Sequence, residues 1–157
     1  MYAKVKGFTF IELMATLIIL AVLASVAVPL VQVNMQRSKE QRLNESLRQI
    51  REAIDAYKKA SDEGHIKKSA DESGYPSTLS VLVDGVEDIK DPKRRKIYFL
   101  RKLPVDPTLD EIKAGEENWG KRSYQSAYDD PKEGDDVFDV YSTSSGAGLN
   151  GVPYRDW

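Results

Sequence analysis

The sequence predicts an α+β protein in which one long N-terminal α-helix, half membrane segment and half amphipathic, packs on a small C-terminal antiparallel β-sheet. Three observations predict this class. Residues 8–33 are apolar with a single acid, residues 43–57 repeat apolar side chains at helical spacing, and residues 97–142 hold short aromatic and β-branched runs between turn residues. A length of 157 residues leaves room for a membrane helix and one small domain.

The first element is the apolar stretch from residue 8 to residue 33, in which Glu12 is the one charged residue. About 20 helical residues cross the hydrocarbon core of a bilayer, so this stretch is long enough to span it. A carboxylate at mid-bilayer costs about 2.5 to 3.5 kcal/mol, and less near a helix end. We therefore expect Glu12 to be functional and to have a partner.

The seven residues before this helix are a short basic head that contains Lys4 and Lys6 and ends at Gly7. A secretory signal has its small-residue cleavage site after the apolar region, where this chain has Pro29 and a long polar helix instead. A cut after Gly7 removes both lysines and keeps the membrane segment. A plain signal anchor with an incidental Glu12 is the alternative.

The run K-G-F-T-F-I-E-L, residues 6–13, resembles the start of type IV pilins and type II secretion pseudopilins. The resemblance implies that residues 1–7 are a leader, which a prepilin peptidase removes between Gly7 and Phe8 before it N-methylates Phe8. Glu12 is then the fifth residue of the processed chain, where the family has its acid.

The same resemblance gives Glu12 a role in filament assembly. Cleavage exposes an α-amino group on Phe8 at a helix start, where the helix dipole disfavours a cation. Glu12 lies four residues away on the same face and offsets that charge. The pair can close within one subunit, or Glu12 can receive the Phe8 amine of a staggered neighbour, as is proposed for the family.

Pro29 is the second expected assembly residue. Since proline has no N–H, the carbonyl of Ser25 loses its helical donor, and we expect a kink or a locally melted turn. The alternative is a tolerated membrane proline that the Ser25 side chain or a neighbouring helix compensates. The resemblance implies that this part of the helix loosens in assembled filaments.

After the membrane segment, residues 34–64 continue as an amphipathic helix that stops at Gly64. Its apolar stripe is Leu43, Leu47, Ile50, Ile54 and Tyr57. The stripe lasts about two heptads, fewer than a coiled coil needs, so we expect it to be the face on which a domain packs.

Residues 65–157 predict a globular domain of short elements. We expect a helix at residues 77–84 that ends at Gly85, and two antiparallel strands at residues 122–128 and 136–142 joined by a turn. Residues 97–103 fit either a helix end or a strand. The basic cluster at residues 93–96 is expected to be a solvated face.

The C-terminal half carries a second resemblance, to the major pseudopilin of type II secretion. Its motifs are L-P-x-D-P, N-W-G followed by S-Y, F-D-V-Y-S, and Trp157 at the end. Major pseudopilins of the best-known type hold Ca²⁺ in the loop after the last strand, with aspartates that follow the Y-S pair. Here that loop has no acid before Asp156, so we expect weak or absent Ca²⁺ binding and no metal site.

Composition excludes several other functions. The chain has no cysteine and one histidine, His65, which is expected to be an exposed residue at a helix end. It contains no H-E-x-x-H, G-x-S-x-G or phosphate-binding glycine loop, so we expect no catalytic residue and no cofactor. The net charge is −2, and no basic surface for nucleic acid is expected. A membrane-anchored enzyme is the remote alternative.

The resemblance implies a structural subunit of a periplasmic pseudopilus that drives export of folded proteins across the outer membrane. Its expected partners are copies of itself, minor pseudopilins, the prepilin peptidase, an inner-membrane assembly platform and, before assembly, membrane lipid. A type IV pilin for adhesion, motility or DNA uptake is the alternative, which the absence of cysteine and the C-terminal motifs disfavour.

The expected topology is a single pass through the bacterial inner membrane. Lysines before the span and basic residues just after it compete, so charge alone leaves the orientation open. The resemblance implies a cytoplasmic leader and a periplasmic domain. The expected parts are therefore a leader (1–7), an assembly helix (8–33), an amphipathic helix (34–64) and a globular domain (65–157).

Overall fold

The computed structural model of the chain describes residues 7–111, 113 and 115–157, apart from the side chains of residues 26 and 27. The predicted α+β class, a long N-terminal helix with small antiparallel sheets, is confirmed. The helices and strands are α1 (Phe10–Asp62), α2 (Ser80–Asp84), β1 (Val86–Glu87), β2 (Lys96–Ile97), β3 (Trp119–Arg122) and β4 (Asp139–Ser142). Two short 3-10 helices span Gly115–Asn118 and Tyr154–Asp156.

The chain divides into two compact units, Met1–Ser38 and Lys39–Trp157. In the first unit, large apolar side chains of α1 are exposed as far as Met35. Among the helices that the structure describes, α1 is the one that is long and apolar enough to cross a membrane. The predicted leader lysines, Lys4 and Lys6, lie outside the described residues.

In the second unit, α1 contributes one face of the hydrophobic core. The predicted stripe is confirmed, with four side chains fully buried and Tyr57 packed at the edge of the core. From the rest of the unit the core receives Leu79, Leu82, Leu100, Trp119, Val137, Val140 and Tyr154. The stripe is thus a packing face for this unit. α1 ends as predicted, since Gly64 adopts a positive φ of 77° just after it.

The two predicted C-terminal strands exist as an antiparallel pair, but the first was placed too late in the sequence. β3 ends at Arg122, where the prediction began, and β3 pairs with β4 from Trp119↔Ser142 to Arg122↔Asp139. Beyond Arg122 the chain leaves the ladder, because the N–H of Tyr124 is held by the carboxylate of Asp136 at 2.8 Å. The ring of Tyr124 packs on the rings of Tyr75 and Phe138 instead of continuing a strand.

The β1–β2 pair lies after α2, with Val86 opposite Ile97. Helix α2 is shorter than predicted, beginning at Ser80, but ends at Gly85 as expected. Gly85 has a φ of 72°, and a Cβ there would lie 2.8 Å from the ring of Tyr98. The basic cluster at residues 93–96 is exposed, as predicted.

Candidate functional site: assembly end and C-terminal loop

The predicted cleavage site lies just before α1. Gly7, Phe8 and Thr9 are not helical, and Phe8 exposes 77 % of its surface. Exposed, irregular backbone is the kind of segment on which proteases act. The peptide bond between Gly7 and Phe8 is therefore accessible.

Glu12 is held by a residue that the sequence analysis missed, Thr9. The carboxylate of Glu12 accepts hydrogen bonds from the Thr9 N–H (3.2 Å) and from the Thr9 hydroxyl (3.3 Å). In return the Glu12 N–H donates to the Thr9 hydroxyl oxygen at 3.3 Å. This is a capping box, and the signal for it was present in the sequence as T-x-x-E at the start of an apolar run.

The capping box has an electrostatic consequence. The first N–H groups of a helix lack internal partners and carry partial positive charge, which a nearby carboxylate offsets. In the chain that retains its leader, Glu12 thus has donors within its own subunit. These donors are neutral groups, so a cationic partner would add an attraction that Thr9 does not supply.

Pro29 lies inside α1, and the helix remains continuous through it. Of the predicted kink or melted turn, the melted turn is not found in the described residues of α1, because the loss of one backbone hydrogen bond leaves the flanking bonds of the helix in place. The hydroxyl of Ser25 donates to the carbonyl of Val22 at 2.7 Å.

The end of β4, where the C-terminal loop begins, is attached to the L-P-x-D-P motif through a buried carboxylate, Asp106. Asp106 exposes none of its surface. It accepts hydrogen bonds from the N–H of Thr108 (2.8 Å), from the hydroxyl of Thr108 (2.6 Å) and from the hydroxyl of Ser142. Asp106 thus holds its own turn through Thr108 and makes a long-range contact with Ser142.

Two charged residues of α1 hold the rest of the loop. The Glu40 carboxylate accepts from the N–H of Leu149 (2.8 Å) and from the hydroxyl of Tyr154 (3.2 Å). Arg51 donates to the Asp139 carboxylate at 2.8 Å and to the carbonyls of Val140 and Trp157. Arg51 therefore links α1 to β4.

The C-terminal motifs L-P-x-D-P, N-W-G and F-D-V-Y-S contact one another in the folded domain. The indole N–H of Trp119 donates to the carbonyl of Pro104 at 2.9 Å. A Cβ at Gly120 would lie 2.2 Å from the ring of Tyr141, so the glycine of N-W-G makes space for the tyrosine of F-D-V-Y-S. These residue types are therefore accounted for by packing within the unit.

His65 and the acidic residues were the remaining candidates for a chemical or metal site. His65, expected to be exposed, is half-buried, and its Nδ1 lies 2.9 Å from the carboxylate of Asp88. That hydrogen bond is the main reason why the pKa of Asp88 lies below its usual range. Among the described residues, no group of three or more His, Asp or Glu is placed to hold a metal ion.

A single acid at the start of an exposed apolar helix, an accessible peptide bond before it and a small α+β domain after it define a prepilin-like protein of the type IV pilin class. Comparison with known proteins agrees. Residues 2–28 match the prokaryotic N-terminal methylation motif. No solved structure matches the chain significantly.

Curated relatives narrow the class. The chain is 35 % identical to type II secretion system core protein G of Pseudomonas aeruginosa over 65 % of this chain and 67 % of the relative. It is 32 % identical to the protein of that name from Klebsiella pneumoniae, over 65 % and 68 %, and 30 % identical to that of Escherichia coli K12, over 66 % and 67 %. The chain belongs to the type II secretion core protein G family, the major pseudopilins.

This membership gives the function at the level of the subunit. The protein is a structural subunit of a pseudopilus. Its prepilin motif implies processing by a prepilin peptidase and assembly with copies of itself. The apolar start of α1 and the family together support anchoring in the inner membrane with the domain in the periplasm.

Proposed function

We propose that the leader, residues 1–7, is cut between Gly7 and Phe8, that Phe8 is N-methylated, and that Glu12 then receives the Phe8 amine of a neighbouring subunit in the pseudopilus. The observation that carries this proposal is the geometry of Glu12. It is the one acid between residues 8 and 33, it lies in the first turn of α1, and its hydrogen-bond donors are neutral groups of Thr9.

Pairing of Glu12 with the Phe8 amine of a neighbour favours assembly over the unassembled subunit. A carboxylate in a bilayer that accepts hydrogen bonds from a hydroxyl and an N–H still carries a net charge, whereas an ammonium partner neutralises that charge. Removing one partner of a desolvated pair costs about 3 to 5 kcal/mol, because it leaves an unpaired charge. Joining the filament in the register that pairs Glu12 is therefore favoured over other registers.

We further propose that Pro29 loosens α1 in the filament, where neighbouring helices replace lipid. The partners would be minor pseudopilins and an inner-membrane assembly platform, with lipid around α1 before assembly and no role for nucleic acid. The domain would be periplasmic, on a single membrane span. We also propose that the subunit has no catalytic residue; in support, every buried side-chain nitrogen or oxygen among the described residues has a hydrogen-bond partner.

Mass spectrometry of the protein from its native membrane tests the processing step. The mature chain should begin at a methylated Phe8. An intact Met1 terminus, in cells that contain the peptidase, would show that the proposed cut is wrong.

Glu12→Ala tests the assembly step. We expect normal insertion and cleavage but a strong loss of pseudopili and of secretion, because the amine of the next subunit loses its partner. Thr16→Ala is a matched control, since the Thr16 hydroxyl donates to the Leu13 carbonyl (2.9 Å) of its own helix. Glu12→Ala filaments in wild-type number, at equal protein levels, would refute the pairing.

For the cofactor we propose that the C-terminal loop is held without Ca²⁺. Support comes from Asp106, which binds the last residue of β4, from Glu40, which binds Leu149 and Tyr154, and from Arg51, which binds the carbonyl of Trp157. A chelator should leave the melting temperature of the full chain unchanged, and added CaCl₂ should not raise it. A decrease of many degrees with the chelator would show that a bound cation stabilises the loop.

A further inference from the structure

The β1–β2 hairpin presents a strongly basic surface, residues 90–96, which we call the basic segment. It contains five basic residues and one acid, a net charge of +4, and all of its residues except Asp91 are exposed. Asp91 accepts hydrogen bonds from the N–H of Lys93 at 3.0 Å and from Nε of Arg95 at 2.6 Å. The single acid of the segment is therefore used inside the hairpin, and the excess positive charge stays at the surface.

The other cations of the basic segment are weakly compensated. Arg94 lies 3.6 Å from Glu87, but both side chains are mostly exposed, and such an ion pair contributes little. Among the described residues, no carboxylate lies within 4.0 Å of the ammonium groups of Lys90, Lys93 and Lys96. Two of these lysines donate to main-chain carbonyls, those of Glu63 and Asp84, which leaves their charge in place. The segment can thus receive acidic groups from outside the subunit.

The same compact unit carries an acidic surface, residues 129–136, which we call the acidic segment. It contains five acids and one base, a net charge of −4. The base, Lys132, pairs with Asp130 at 2.6 Å. Asp129 and Asp135 are exposed, and in the part of the chain that the structure describes no cation lies within 4.0 Å of their carboxylates. This segment can therefore receive basic groups from outside the subunit.

The two segments do not neutralise each other within one subunit. No hydrogen bond or ion pair joins them in the described ranges of the chain. An exposed tyrosine lies beside each, Tyr98 at 63 % after the basic segment and Tyr128 at 79 % before the acidic one. Tyrosine is enriched at protein interfaces, and its ring also attracts cations. Each surface thus combines charge with an aromatic ring that a partner of opposite charge can cover.

We propose that the basic segment of one subunit binds the acidic segment of the next subunit in the pseudopilus. The partner is a second copy because this chain itself carries the complement, with a charge of +4 matched by −4. A contact between two different surfaces of one protein is head-to-tail, the kind that builds helical filaments. Complementary charges fix the register of a contact more than they add affinity. The inference rests on the proposed filament assembly, to which it adds residues of the domain.

Charge reversal in the full chain, in cells that carry its type II secretion system, tests the proposal. The basic segment changes from +4 to −2 in Lys93→Glu/Arg94→Glu/Lys96→Glu. The acidic segment changes from −4 to +2 in Asp129→Lys/Glu133→Lys/Asp135→Lys. A third variant combines all six changes. The matched control reverses three exposed lysines outside both segments, Lys59→Glu/Lys67→Glu/Lys113→Glu.

Each reversed segment alone should reduce the number of pseudopili about tenfold or more, because like charges then face each other. The combined variant should regain most of the loss, and the control should match wild type. A combined variant no better than either reversal alone would overturn the inference, and this is the result if the basic segment serves anionic lipid. Wild-type numbers of pseudopili in both single-segment variants would overturn it as well. A wild-type chain that is cut before Phe8 yet forms no pseudopili would overturn filament assembly and the inference together.

Crosslinking gives a second measurement that does not depend on charge reversal. Because the chain has no cysteine, Lys93→Cys/Asp135→Cys places one thiol in each segment. A short bismaleimide should convert sheared pseudopili of this variant into a ladder of linked subunits. Lys67→Cys/Asp135→Cys, with one thiol moved outside the basic segment, should stay monomeric. Pseudopili of the first variant that yield only monomer would overturn the proposed contact and leave filament assembly intact.

Discussion

Replacing the buried carboxylate of Asp106 by Ala is the strongest test of how the C-terminal loop is held. The change removes the acceptor of three donors, the N–H and hydroxyl of Thr108 and the hydroxyl of Ser142. Each buried donor left without a partner costs about 1 to 3 kcal/mol. Since water and local relaxation recover part of this, we expect the free energy of unfolding to fall by about 3 to 5 kcal/mol in total.

The assay is thermal unfolding of the full chain in detergent micelles, followed by near-UV circular dichroism of the two tryptophans. A protein of this size changes its melting temperature by about 2 to 4 °C per kcal/mol, so Asp106→Ala should melt about 10 °C below wild type. Asp106→Asn keeps one acceptor oxygen and should lose less. The control is Asp129→Ala at an exposed turn residue, where we expect a change within about 0.5 kcal/mol.

A melting temperature of Asp106→Ala within about 2 °C of wild type, which is a stability loss of less than about 1 kcal/mol, would show that Asp106 does not hold these groups as described. A double variant sharpens the test, because Ser142→Ala removes one of the same hydrogen bonds. The two losses should sum to more than the loss of Asp106→Ala/Ser142→Ala, since residues in one network are coupled. Simple additivity would mean that the two side chains act independently.

Three further predictions concern contacts between distant parts of the domain. Gly120→Ala should cost about 1 to 3 kcal/mol of stability, because its Cβ would lie 2.2 Å from the Tyr141 ring. Chemical denaturation measures this loss, which should shrink when Tyr141→Ala is added. Arg51→Met should cost only about 1 to 2 kcal/mol by the same assay, because the Arg51 side chain keeps 38 % of its surface in water, and a larger loss would mean that the ion pair with Asp139 is better shielded. The pKa of Asp88 is lowered mainly by its hydrogen bond with His65. Ionised Asp88 therefore stabilises the fold above the ordinary carboxyl pKa of about 3.9, and this stabilisation disappears as the pH falls through the lower pKa of the folded protein. Asp88→Asn should therefore melt below wild type at pH 6 but together with it at strongly acid pH, and a difference that persists in acid would contradict this sign.

Local patterns were predicted well because their cause lies within a few residues of the chain. The apolar run, the position of Glu12, the buried stripe of α1 and the stops at Gly64 and Gly85 all follow from helical spacing and backbone preference. The capping box of Thr9 was equally local, so its pattern could have been found. The role of Glu12 in assembly stays a prediction, since it concerns contacts between subunits.

The predictions for β3 and His65 were wrong because long-range contacts decided them. β3 was misplaced because Tyr124 and Tyr128, which are residues that favour strands, follow Arg122, while Tyr124 in fact stacks on Tyr75 with ring centroids 5.6 Å apart. His65 was expected to be exposed because nothing near it in sequence marks Asp88 as its partner. In both cases the deciding neighbour lies in another element.

The sequence by itself determined the long helix, its change from a membrane face to a packing face, and the family motifs at both ends. Only the tertiary structure decided which charged residues hold the domain together. Arg51 reaches Asp139 across 88 residues, and Asp106 reaches Ser142 across 36. Such pairs depend on how the core brings α1, the L-P-x-D-P turn and β4 together, because a hydrogen bond requires two atoms at about 3 Å and no local pattern encodes that distance.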